Sequence, residues 1–188
     1  MNYRSERLTF REFQEDDFDL LYTLFSNEEV MKFTLRDRVS CEEDLRPYFN
    51  SILKNNTTVL NREAYEYGVF LTSDDSFVGI ADIEINKQNA YGGYGEIGYL
   101  LRTPFWNKGY ATEMANKLIE IGFKDVNLHR IYAKCNTNNA HSEKVMEKVG
   151  MVKEGELRKV RLKNGRWDNE YLYSILFEEW LEINKLSK

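Results

Sequence analysis

Two periods of apolar residues run along this chain, and the places where one gives way to the other mark its elements. Over residues 96–101, Ile97, Tyr99 and Leu101 alternate with Glu96, Gly98 and Leu100, as the two faces of a strand do. Farther on, Ala111, Met114, Ala115, Leu118, Ile119 and Gly122 fall at i, i+3, i+4, i+7, i+8 and i+11. That is one face of an amphipathic helix, running to Phe123 or Lys124. The connection between them is tight and holds a single glycine, Gly109.

The same periods assign the rest. Leu8, Phe10 and Phe13 predict a first strand. Gln14-Glu15-Asp16-Asp17 opens a helix with Phe18, Leu21, Tyr22 and Phe25 inward, and its acidic first turn suits the helix dipole. Ser40 and Glu43 have capping-box spacing ahead of Leu45, Tyr48, Phe49, Ile52 and Leu53. Pro47 inside that run predicts a kink or a later start. Strands follow at 65–71 and 77–85 around a hairpin turn, then a flexible aromatic loop over 87–95. After the central strand and helix come a strand at 130–135, a polar turn at 136–139, and a short helix at 142–149 with Gly150 as its C-terminal cap. Strands at 151–162 and 167–176 are joined by a turn whose Asn164-Gly165 is a strong hairpin signal, and Phe177, Trp180 and Leu181 close the chain on a helix. The order β-α-α-β-β-β-α-β-α-β-β-α, with no repeat or linker, predicts one α+β domain over 1–188 with helices covering a mixed sheet.

Composition narrows the partners. The 188 residues carry a net charge of −5 with no basic block, which argues against a nucleic-acid binder and mildly favours amines. No apolar run approaches the roughly 20 residues that span a bilayer, and the first residues carry no hydrophobic signal region, so a cytoplasmic, non-membrane protein is expected. Cys41 and Cys135 lie far apart without metal-ligand spacing, and there are two histidines, so no metal is expected.

Chemistry concentrates at the central strand-to-helix turn. Such a turn leaves free N–H groups at the positive end of the helix dipole, a ready anion site. Gly109 removes a side chain there, Lys108 adds a charge and Thr112 a hydroxyl; the same residues also suit an ordinary connection.

Two patterns occur together: Trp106-Asn107-Lys108-Gly109-Tyr110-Ala111 between strand and helix, and Asn139-Ala140-His141-Ser142 after the next strand, followed by Glu147-Lys148-Val149-Gly150-Met151 and Glu154-Gly155. Nearly the whole chain thereby resembles the GNAT superfamily of acetyl-CoA-dependent N-acetyltransferases. The ending Asn164-Gly165-Arg166-Trp167-Asp168 with an aromatic helix is similar to its ribosomal-protein (RimJ/RimL-like) branch. One departure is Trp106, where the family's loop often begins with Gln or Arg; the first phosphate donor must then be a backbone N–H.

The resemblance implies a mostly antiparallel sheet with a splayed parallel strand pair, the cofactor slotted between the strands ending at Leu101 and near Cys135. It implies that acetyl-CoA is the co-substrate. Its pantetheine would pair with backbone at Leu100, Leu101 and Arg102, its pyrophosphate would sit on the amides of Asn107, Lys108, Gly109, Tyr110, Ala111 and Thr112, and Asn139 would bind the pantetheine region. Asn139 is equally a good turn residue. An amine would attack the thioester directly, with a backbone N–H near Leu101 holding the oxyanion. Ser142, carried over from the branch's pattern, would protonate the leaving thiolate and also bind cofactor, or it caps the helix. Glu96 and Glu84 are the candidates for the base, with Asp82 on the same strand face as Glu84; each is otherwise a solvated charge. Tyr91, Tyr94 and Asp168 are candidates for the substrate rim. Cys135 reads as core rather than as an acyl carrier, and adjacent His141 and Ser142 do not face each other on a helix.

The acceptor is expected to be a protein N-terminal α-amine. The alternatives are a small amine (polyamine, amino acid or amine antibiotic) and a non-catalytic acyl-CoA-binding module. A monomer or homodimer is expected.

Overall fold

The structure, a computed structural model, describes residues 2–34, 36–58, 60 and 62–186. In chain order the elements are β1 (Asn2–Arg4), β2 (Leu8–Glu12), α1 (Phe18–Phe25), α2 (Glu28–Met31), α3 (Glu42–Thr57), β3 (Ala64–Leu71), β4 (Phe77–Asn89), β5 (Gly92–Leu101), α4 (Tyr110–Lys124), β6 (Leu128–Asn136), α5 (Ala140–Lys148), β7 (Val152–Lys163), β8 (Arg166–Leu176) and α6 (Phe177–Leu186). Among the described residues the strands make one sheet in the order β1-β2-β3-β4-β5-β6-β8-β7. All neighbours are antiparallel except β5 and β6, the pair that α4 crosses over.

The alternation of side chains divides the core in two. Ala81, Ile83, Ile97, Leu101, Ile131 and Ala133 pack with α4 and α5 residues on one face. Ile80, Phe70 and Phe77 pack with α1, α2 and α3 on the other. The α4 stripe read from periodicity is buried as expected at Met114, Ala115, Leu118 and Ile119. Gly150 and Asn164-Gly165 adopt the positive φ angles expected of a helix cap and a tight hairpin turn.

Two expectations and one omission need correction. Residues 87–95 are not a loop: β4 runs to Asn89 and β5 starts at Gly92, so the hairpin continues through them. The glycines misled because they usually break strands; here Gly93 and Gly95 bring backbone against the carbonyls of Lys87 and Glu84, where a Cβ would collide. Second, Ser40 and Glu43 form no capping box. Cys41 is the N-cap, without a side-chain cap bond, and α3 runs through Pro47. Third, β1 and the four-residue α2 carry too little periodic signal to be read from sequence.

Candidate active site

Pairing between the parallel strands ends early. Its last rung joins Glu96 to Tyr132. Beyond it β5 keeps its outer partner as far as Gly79–Leu101, and β6 keeps β8 as far as Asn136–Glu170. Residues 97–101 and 133–136 therefore face each other across a gap, held apart by the strands outside them. Alternation turns the main chain of Ile97, Tyr99 and Leu101 toward that gap. Leu100 and Arg102, expected with Leu101 to offer backbone there, face β4 instead. The Leu100 carbonyl crowds Gly79, and the Arg102 N–H donates to Val78 at 2.9 Å. The Leu101 carbonyl accepts from the Trp106 indole at 2.8 Å, which explains a tryptophan at the head of the loop.

The loop then delivers α4 with its first amides open. Asn107 and Gly109 adopt φ values of 58° and 81°, reversing the chain so that Tyr110 starts the helix. Among the described residues no protein acceptor takes the N–H groups of Asn107, Lys108, Gly109, Tyr110, Ala111 or Thr112; the first donation is Glu113 to the Gly109 carbonyl at 3.1 Å. Lys108 is exposed.

Arg7, which nothing in the local sequence signalled, backs this loop. Its Nη1 donates to the Lys108 carbonyl at 3.0 Å, its guanidinium lies 4.4 Å from the centre of the Tyr110 ring, and its Nε donates to Glu113 at 2.7 Å. Glu113 also accepts from Ser5 Oγ and from the Arg7 N–H, both at 2.7 Å. These donors hold its carboxyl below the usual range despite partial burial.

On the α3 face of the gap stands a group of carboxylates. Glu66 pairs across to Asp82, and Asp82 to Gly98; Glu84 pairs to Glu96 one rung behind. Burial, with the charges of Glu84, Glu66 and Glu96, pushes Asp82 up to about 8, against the weaker pull of Arg36. Burial also raises Glu66, against hydrogen bonds from Asn55 and Tyr48. Glu96 is ion-paired to Lys134 at 3.1 Å, while Glu84 is exposed. Of the three carboxylates read from sequence, the half-buried Asp82 is the one whose pKa is shifted to near neutrality.

On the opposite face, Asn139 caps α5 by accepting from the Ser142 N–H at 3.2 Å. The capping alternative for Ser142 is thereby corrected: it is the third residue of the helix, and its Oγ lies 3.1 Å from the Tyr99 hydroxyl. Cys135 is buried and burial raises its thiol to about 11, the opposite of an activated nucleophile. Tyr91 and Tyr94 lie at the closed end of the strand pair, away from the gap. Asp168 is tied to Asn136 and Arg166. Among the described residues no group of His, Cys, Asp and Glu is arranged to hold a metal, and no helix is long and apolar enough to cross a membrane.

Residues 7–152 match the family described as acetyltransferase (GNAT) domain. The chain is 36% identical over 181 residues to YnaD, an uncharacterized N-acetyltransferase of Bacillus subtilis, covering 96% of this chain and 99% of that protein. It resembles the crystal structure of a GNAT-family acetyltransferase from Bacillus anthracis with a TM-score of 0.78 at 34% identity, covering 95% and 99% of the two chains. The fold is also that of spermidine N-acetyltransferase from Vibrio cholerae in complex with CoA and spermine, with a TM-score of 0.80 at 21% identity over 94% and 99%.

Proposed function

The chain belongs to the GNAT acetyltransferase family, and from that premise we propose how its own residues serve acetyl transfer from acetyl-CoA to a primary amine, a protein N-terminal α-amine first. The observation that carries the reading is the early end of β5–β6 pairing at Glu96–Tyr132, next to a helix start whose amides are free. A gap between strands takes an extended pantetheine arm by main-chain hydrogen bonding, for which Tyr99 and Leu101 present backbone. The amides of 107–112 take the pyrophosphate by charge and geometry, and Arg7 keeps a fixed positive charge beside them.

In the reaction a C–N bond forms as the C–S bond breaks; the nitrogen loses a proton and the sulfur gains one. Asp82 is the best supported base. An α-ammonium loses its proton near 7.7–8.0 and an alkyl ammonium near ~10.4. Transfer to a carboxylate of pKa about 8 is thus nearly balanced for an α-amine and uphill by over two units for a lysine-like amine. Glu96 and Glu84 add negative potential that draws the ammonium in. The Leu101 N–H is the donor for the oxyanion, and Ser142 for the departing sulfur.

A second reading, a polyamine as acceptor, is favoured by one observation: four carboxylates, Glu66, Asp82, Glu84 and Glu96, share the α3 face. Acetylation followed by free-thiol release on peptides with free N-termini, run against spermidine, amino acids and aminoglycosides, separates these. Turnover on peptides supports the first reading, and turnover on spermidine alone the second. Acetyl-CoA binding with no turnover on any amine supports a non-catalytic module and overturns both.

A further inference from the structure

The Tyr99–Ser142 contact joins the two sides of the gap. Tyr99 stands on the stretch of β5 that is paired to β4 but no longer to β6 beyond Glu96, and Ser142 stands on the helix that follows the other arm, β6. The hydroxyl oxygens are 3.1 Å apart, and the Tyr99 oxygen is also 3.4 Å from the Ser142 carbonyl. Both side chains are half-buried, as they would be at the wall of an open slot. No cap duty holds Ser142 there, because Asn139 does that work.

A serine hydroxyl has one proton and two lone pairs, and on a helix its proton turns readily to the carbonyl four residues back. Used that way it offers nothing to a neighbouring sulfur. We propose that Tyr99 is a positioning residue for the leaving-group step: its phenol O–H donates to Ser142 Oγ, which frees the Ser142 O–H to point at the departing sulfur of the thioester. The direction follows from acidity, since a phenol is the stronger donor of the two. Burial raises Tyr99 further, so it stays protonated and remains a donor throughout the working pH range. No net transfer through the pair is needed. The thiolate's proton balances the one lost by the amine, and the two hydroxyls supply hydrogen bonds while the C–S bond breaks.

The inference rests on the proposed role of Ser142, and the test separates the two. Ser142→Ala, Tyr99→Phe and the double variant are compared in kcat, KM for acetyl-CoA and Tm. Removing a donor at a developing charge costs on the order of 10²-fold or more, and removing its orienting partner costs roughly tenfold. Tyr99→Phe keeps the ring packing, so its KM and Tm should match the parent. The decisive expectation is that the double variant is no slower than Ser142→Ala, because Tyr99 acts through Ser142. An equal further loss on adding Tyr99→Phe to Ser142→Ala overturns the positioning role while leaving Ser142 in place. So does a Tyr99→Phe variant changed only in KM or Tm. An unchanged kcat in Ser142→Ala overturns the Ser142 reading and this inference with it.

Discussion

The carboxylate of Asp82 fills the space that a side chain at Gly98 would occupy: a Cβ built on Gly98 meets Oδ1 at 2.6 Å and Oδ2 at 2.9 Å. Gly98→Ala therefore pushes out the proposed base rather than the backbone. The obstacle is the far end of a side chain that can turn aside, so the stability loss should stay within about 1 kcal/mol. The kcat should fall more than tenfold, with acetyl-CoA affinity unchanged. Steady-state kinetics with a parallel melting curve check the split; a variant with normal kcat removes Asp82 from the chemistry.

Asp82 also sets a pH dependence of stability. Its folded pKa is about 8, against 3.8 for an ordinary aspartate side chain. Between those values the folded state holds a proton that the unfolded chain has released, so stability falls as pH rises through the window and the deficit is complete above about 8. Asp82→Asn should match the parent near pH 4 and be more stable at pH 9, in denaturant titrations at both pH values. The same variant should lose activity by roughly 10²–10⁴-fold and lose the rise of kcat/KM through pH 8.

At the loop, Gly109→Glu should weaken acetyl-CoA binding by over a hundredfold, because it sets a negative charge among the amides of 107–112. Part of any loss is conformational: φ is 81° at Gly109, and a non-glycine residue there costs roughly 1–2 kcal/mol. Gly109→Ala carries that strain without the charge, and its added Cβ would lie 3.4 Å from Arg7 Nη2, an ordinary contact. Calorimetric titration of both variants isolates the electrostatic part. Equal affinities for the two would remove the phosphate assignment.

What could be read ahead of the structure follows the range of the forces involved. The α4 stripe and the Asn164-Gly165 turn are local, and the chain adopts both. The gap is not local. It exists because β4 and β8 hold β5 and β6 along directions that diverge after Glu96–Tyr132, and no spacing within either strand encodes that. Alternation alone puts Asp82 and Glu84 on a common face, and the register of β4 with its neighbours agrees. Which carboxylate is pushed toward neutrality depends on Glu66, a strand away, whose charge adds to the desolvation of Asp82. Tyr99 alternates with the core residues Ile97 and Leu101 and so reads as packing until α5 brings Ser142 to its hydroxyl. Arg7 reaches the loop across 101 residues of sequence, beyond any motif.

The β7–β8 hairpin holds a buried ion pair. A register shift in β7 between Leu157 and Arg161 brings Arg161 against Glu170, with exposures of 6% and 2%. Arg161 Nη1 also donates to the Phe33 carbonyl at 3.1 Å, and Lys163 Nζ donates to the carbonyls of Thr34 and Arg36 at 2.9 and 3.2 Å. Two cations of one strand thus hold the carbonyls of Phe33, Thr34 and Arg36, which follow α2. Glu170→Ala strands a guanidinium without its anion, and chemical denaturation should show a loss of about 3–5 kcal/mol. Arg161→Met with Glu170→Leu removes both desolvation costs and should recover most of that loss. Lys163→Met leaves the pair intact, so it should spare global stability while speeding amide exchange at Thr34 and Arg36. If the double substitution is instead as unstable as Glu170→Ala, the bond to Phe33 outweighs the pair, and attachment of this segment rather than charge neutralisation is what the buried arginine provides.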